Sequence, residues 1–238
     1  MKPFLWILLL SFVCTSCGDY RYVPMTVKPT FFKEKGDLEV SFQARGMGEF
    51  HAAYAITNNI ALSATTGWRN MVPDTTVKLD SNNNALNRFI EGKGDRDNEL
   101  AIGYFKCFDD GSTFEVYGGY AIANQIIKRK FSDFVNPNNS FNIRENNLNY
   151  GRFFIQPAYG KSTKIADYGF ANRFTILNFH PDAKNDFISE SMFFFRFGYK
   201  YVKVMWQFGF TLSNVNNTYD YLPFNAGIGL YFQLNHYD

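Results

Sequence analysis

The chain is short of cysteine, histidine and net charge, and it holds one long apolar run; each shortage removes a class of function. Its three cysteines are Cys14, Cys17 and Cys107. The first two close the N-terminal stretch MKPFLWILLLSFVCTSC, where the apolar run from Pro3 to Val13 follows a single Lys2. A run that short does not cross a bilayer, which takes about 20 apolar residues, and it reads as the core of a secretory leader. No second run of that kind exists, so no transmembrane helix is expected. The three histidines, His51, His180 and His236, are scattered without metal-binding spacing. With 24 basic and 22 acidic residues the net charge is +2, which gives nucleic acid no electrostatic hold. Gly46-Met47-Gly48 and Gly227-Ile228-Gly229 are fragments of a dinucleotide fingerprint, but no helix follows either, so no phosphate cradle and no cofactor are expected.

The leader ends in Thr15-Ser16, small residues that a signal peptidase accepts. Cleavage there leaves Cys17 as the first mature residue, an arrangement similar to a bacterial lipobox, in which that cysteine is acylated. Cys14 stands where such a box usually has Leu, and ordinary secretory cleavage at the same bond is the alternative. On either route Cys14 leaves with the leader. A lone Cys107 then excludes an intramolecular disulfide and a cysteine zinc site, and its place at the end of an apolar strand makes it a small buried hydrophobe.

What is abundant is aromatic: 27 Phe and 15 Tyr, with Trp, make 19% of the chain. The apolar residues alternate with polar or small ones. In FNAGIGLYFQLN, Phe224, Ala226, Ile228, Leu230, Phe232 and Leu234 share one face; in VKVMWQFGFTLS, Val202, Val204, Trp206, Phe208 and Phe210 do the same. Period two is the mark of a strand, and it recurs near 38–45, 49–56, 60–68, 98–107, 113–122, 149–160, 164–177, 190–199, 202–213 and 224–235. Tight-turn material joins some of these segments, as at Asn58-Asn59, Asp109-Asp110-Gly111 and Lys161-Ser162-Thr163, whereas 69–97, 123–148, 178–189 and 214–223 are long and polar. The long connections follow the third, fifth, seventh and ninth strands and so emerge on one side. An all-β, single antiparallel up-and-down barrel of about ten strands, of outer-membrane type, has this layout, with long loops outside the cell and both termini toward the periplasm.

A lipid-tethered soluble barrel of lipocalin type is the rival, and the face opposite the aromatics separates the two. That face carries Glu39, Arg45, Glu49, Glu99, Glu115, Arg152, Asp167, Arg173, Arg196 and Lys203, while the aromatic face is nearly free of charge, with Lys106, Asn172 and Pro157 as exceptions. Lipid outside and a polar lumen follow. Five acids balance five bases in this set, which suits internal ion pairs better than an ion-selective passage. The chain thus divides into a leader (1–16), a lipidated periplasmic tether (17–37) with two prolines and no period, and the barrel (38–238).

Tyr22-Val23-Pro24, Pro29, Lys35-Gly36-Asp37, Ala52-Ala53-Tyr54-Ala55 and Thr57-Asn58-Asn59 together resemble a family of uncharacterised outer-membrane lipoproteins of Gram-negative, Bacteroidota-like bacteria. The resemblance spans the first quarter of the chain and implies a fold without a known activity. The expectation is a non-catalytic accessory or surface-binding protein held by outer-membrane lipid. Loop aromatics such as Phe131, Phe134, Tyr219 and Tyr221 would meet a protein partner or a surface glycan. Two alternatives stand beside it: passage of a small solute, and lipid A modification by His180 with Asp182 and Ser189. Asn138-Asn139-Ser140 and Asn216-Asn217-Thr218 match a glycosylation acceptor and read as polar loop residues.

Overall fold

A computed structural model of the chain describes residues 25–44, 48–79, 85–133, 141–180, 185–199, 201–213 and 224–234. Every period-two segment becomes a strand: β1 (Leu38–Ala44), β2 (Gly48–Ala55), β3 (Ile60–Leu79), β4 (Ala85–Cys107), β5 (Ser112–Asp133), β6 (Phe141–Ser162), β7 (Ala166–His180), β8 (Asn185–Tyr199), β9 (Val202–Ser213) and β10 (Phe224–Leu234). Each pairs antiparallel with its neighbours in sequence, and β1 pairs with β10. The result is a closed up-and-down barrel of ten strands, with no helix among the described residues.

The two faces of the wall are inverted relative to a soluble protein. On β4, Leu100 and Ile102 point outward at 69% and 56% exposed, while their neighbour Glu99 is buried. Phe153 and Ile155 face outward on β6 beside the buried Arg152. An exterior of this kind is stable only against hydrocarbon, which sets the lipocalin-type alternative aside. Cross-strand aromatic pairs knit the exterior: ring centroids lie 4.5 Å apart for Tyr120 and Phe153, 5.0 Å for Phe170 and Phe193, and 5.5 Å for Phe193 and Phe208. Of the exceptions on this face, Pro157 interrupts the β6–β7 ladder, which resumes at Ala158 and Ala171. Asn172, opposite that gap, accepts a hydrogen bond from Ser189 at 3.2 Å.

Strand length departs from the sequence reading. The segments 69–97 and 123–148, expected as loops, are mostly strand: β3 has 20 residues, β4 has 23, and β5 and β6 have 22 each, with Leu79 still paired to Ala85 and Phe131 to Phe141. A transmembrane strand needs only about 9–11 residues, so two hairpins rise well beyond the bilayer. Alternation marks where one face meets lipid. Period two is not sustained through 69–97 and 123–148, yet backbone pairing continues through them. By contrast β1 and β2 have 7 and 8 residues.

The opposite rim carries the short turns. At one of them Asp110 accepts hydrogen bonds from the hydroxyl of Ser112 at 2.6 Å and from its amide at 3.0 Å, which hold the Asp110 carboxyl below its ordinary range. Gly111 follows with φ 80°, a backbone conformation that favours glycine. Cys107, expected to be buried, is half-buried at this rim, where the barrel wall ends. The inverted wall generates a test. Ile102→Arg places a charge within the apolar band and is expected to destabilise the barrel by about 2–4 kcal/mol in urea titration from lipid vesicles; a neutral result would favour a soluble barrel.

Candidate functional site

Residues 25–37 fall in the segment expected to run as a periplasmic tether, and the structure corrects that expectation. Met25, Thr26, Val27, Thr30, Phe31 and Phe32 are at most 1% exposed, and Lys28 is 5% exposed, because the segment occupies the barrel lumen. It has no ladder partner there. Buried backbone groups must nonetheless be satisfied, and lumenal side chains supply the partners.

Glu49 accepts from the amide of Thr26 at 3.1 Å, from the Thr26 hydroxyl, and from Lys28 Nζ at 2.5 Å. Glu115 accepts from the amides of Thr30 at 3.0 Å and Phe31 at 3.1 Å, and from the Thr30 hydroxyl at 2.9 Å. Two successive N–H groups thus converge on one carboxylate, and Phe31 itself has φ 53°, a left-handed conformation that costs a non-glycine residue about 1–2 kcal/mol. Its ring is seated directly on Gly160, where an added Cβ would lie 2.5 Å from it, and 5.2 Å from the Phe194 centroid. The carbonyls are matched by donors. Gln207 donates to the carbonyl of Val27 at 2.8 Å and Arg196 to that of Pro29; the Tyr231 hydroxyl lies 3.0 Å from the carbonyl of Thr30 and 2.8 Å from Glu39 Oε2.

These contacts give the segment a direction. Phe32 packs on Phe105, two residues from the short-turn end of β4. Thr30 meets Glu115, three residues into β5. Val27 meets Gln207, five residues into β9, and Thr26 meets Glu49, next to the opposite end of β2. The chain therefore climbs the lumen from the short-turn rim as it is followed back toward residue 25. At the lower rim it leaves through a clasp: Asp37 accepts from the amide of Lys33 at 2.8 Å, Gly36 donates to the Ala55 carbonyl at 2.9 Å, and Lys35 donates from its amide to Asn58 at 3.0 Å. Lys35-Gly36-Asp37 and Thr57-Asn58-Asn59, two of the elements behind the family resemblance, thus meet in space.

A second cluster binds the wall to itself. Arg173 is bidentate on Glu99, at 3.0 and 3.2 Å, donates to Gln156 at 2.7 Å, and lies 4.5 Å from the Phe154 ring centroid. Arg152 bonds the same Glu99 at 3.1 Å and Asp97 at 2.9 Å. Lower in the barrel Lys203 donates to Asp167 at 2.7 Å, and Arg196 stacks 3.8 Å above the Tyr231 ring with Asp167 4.0 Å away.

Of the ten residues read as lumenal, Glu39, Glu49, Glu99, Glu115, Arg152, Asp167, Arg173, Arg196 and Lys203 are all buried. Arg45 lies outside the described residues, as do Cys17, Phe134, Tyr219, Tyr221, Asp182 and both acceptor triplets, and the side chains of Phe131 and His180 are likewise not described. Sequence reasoning missed Thr26, Lys28, Thr30, Asp97, Gln156, Gln207 and Tyr231. Gln156, Gln207 and Tyr231 occupy inward positions in the alternation and were passed over for lacking charge or for being aromatic; Asp97 closes a stretch read as a loop, and the first three sit in a segment with no period to read.

No family model matches the chain, and no curated protein matches it. Among solved structures it is similar to the outer-membrane protease OmpT of Escherichia coli, with 11% identity over 84% of this chain and 94% of that one and a TM-score of 0.39. It is also similar to the NanC porin, with 13% identity over 83% and 100% and a TM-score of 0.31, and to OmpT, an outer membrane protein of Vibrio cholerae, with 9% identity over 84% and 96% and a TM-score of 0.28. One of these barrels is a protease, so the expectation that the chain is not an enzyme is corrected: a barrel of this kind does not exclude catalysis. At this identity no activity passes to the chain.

The charge cluster carries its own test. Arg173→Ala strands Glu99 against a single guanidinium and is expected to cost about 3–5 kcal/mol, read by urea titration in vesicles. A neutral result would mean that water already solvates these charges.

Proposed function

We propose that the chain is a lipid-anchored outer-membrane barrel, acylated at Cys17, that acts as an accessory or surface-binding protein through its raised hairpins. The observation that supports this most is the filled lumen. A passage for a small solute needs a continuous watery path, and residues 25–32 occupy that path with buried apolar and bonded polar groups. The hairpins β3–β4 and β5–β6 supply the complementary feature, a tall edge of paired strands on one side of the barrel only. A protein partner or a surface glycan is the class of contact such an edge suits. Short turns face the periplasm and long connections the exterior in bacterial barrels, which supports an exterior position for the raised hairpins.

Three measurements check the proposal. In planar bilayers the wild-type protein is expected to show no steady conductance, and deletion of residues 25–32 to produce one; steady, selective wild-type current would put transport ahead. Crosslinking on whole cells should yield a partner adduct that is lost when residues 72–93 are replaced by a short turn, and an adduct indifferent to that change would remove the hairpin from the account. Intact-mass analysis of membrane-extracted protein should show an acylated N-terminus at Cys17, which Cys17→Ser abolishes; an unmodified residue 17 would overturn the lipid anchor.

A further inference from the structure

A polar spot breaks the apolar exterior of the wall at mid-height. Along β7 the outward side chains run Tyr168, Phe170, Asn172, Phe174 and Ile176, so Asn172 has two exposed apolar neighbours on either side of it. Across the ladder it stands opposite Ser191 of β8, and Ser189 donates to its Oδ1 at 3.2 Å. On the other side the β6–β7 ladder is interrupted between the pairs Ile155–Phe174 and Ala158–Ala171, where Pro157 has no N–H to offer. Asn172 is half-buried, and its Nδ2 meets no acceptor among the described residues. In water that would have no consequence. In hydrocarbon it does, because an acyl chain carries no acceptor and an amide proton left unmatched there is costly.

We propose that the exterior face of β7 and β8 is a contact between two copies of this barrel, related by a two-fold axis that passes beside Asn172. A primary amide is its own complement: it carries two donor protons on Nδ2 and an acceptor with two lone pairs on Oδ1. Ser189 uses one of those lone pairs and leaves the other. In a two-fold contact each Nδ2 donates to the Oδ1 of the other copy, so a single residue satisfies both sides. Lipid headgroups carry acceptors only at the membrane surface, and a different membrane protein would need an acceptor of its own at this depth. A second copy brings one to the same height by symmetry. Phe170 and Phe174, 38% and 37% exposed, flank the amide below and above and supply apolar contact area. Lipid is as apolar as phenylalanine, so that area confers little preference, and the hydrogen bonds select the partner. The contact requires only the lipid-facing wall; neither acylation at Cys17 nor the raised hairpins enter.

The test uses the full-length protein in lipid vesicles. Copies labelled with a donor or an acceptor fluorophore should show energy transfer that falls as lipid is added. Asn172→Leu should weaken that association by roughly ten- to a hundredfold. The same change should leave the barrel at least as stable in urea, since an apolar side chain suits a lipid-facing position, and this separates loss of the contact from loss of the fold. A second readout leaves Asn172 in place. In native membranes, Ser191→Cys should give a disulfide-linked dimer on oxidation, above the level of its Cys107→Ser background, whereas Leu62→Cys, on β3 across the barrel, should not. Wild-type protein that is monomeric at every lipid dilution, an association that Asn172→Leu leaves unchanged, or equal crosslinking from positions 62 and 191 would overturn the proposal. An adduct from Ser191→Cys to a different protein, with none between copies, would also overturn it and assign this face to another partner.

Discussion

The rest of the structure depends on one constraint: a backbone segment placed inside a barrel has no strand to pair with. Residues 25–32 carry peptide groups into a closed space, where an unsatisfied amide or carbonyl costs about 1–3 kcal/mol. The wall answers group by group, with carboxylates of Glu49 and Glu115 on the amides and donors from Gln207, Arg196 and Tyr231 on the carbonyls. Pro29 helps by having no amide to satisfy. The wall in turn needs the segment. Glu115 is fully buried, and the partners just described all belong to residues 30 and 31. Segment and wall are thus stable together, and each would leave buried polar groups unmatched without the other.

This division of labour explains two styles of lumenal chemistry in one barrel. Where the segment runs, wall charges serve peptide groups as well as charged partners, as Glu49 does with the Thr26 amide and Lys28. Away from those contacts the charges serve one another, and Glu99 gathers Arg152 and Arg173 into a side-chain network. Residues 25–32 are thereby held in the lumen on all sides by the wall. The raised hairpins take their height from continued strand pairing rather than from loop length.

How much of this was legible in the sequence follows from what writes a pattern. Lipid on one face and a lumen on the other impose period two, so Phe224 to Leu234 and Val202 to Phe210 announced their strands, and Arg152, Arg173 and Arg196 announced an inward face. Nothing of that kind marks the upper halves of β3 to β6, where the sequence sustains no period of two. Nothing marks Met25–Phe32 either: a lumenal segment is fixed by long-range contacts to β2, β5, β8, β9 and β10, and its proline and lack of period look the same in a lumen as in water. The balance of lumenal charges likewise does not reveal that Glu115 receives the amides of Thr30 and Phe31.

Hydrogen exchange in lipid vesicles tests the mutual dependence of segment and wall most directly. Amides of Thr26, Thr30 and Phe31 should exchange as slowly as those of the barrel strands, and Glu115→Ala should release Thr30 and Phe31 while the outer strands keep their protection. Rapid exchange of all three amides in the wild-type protein, at the rate of a free peptide, would show that the segment lies outside the lumen and would contradict the account.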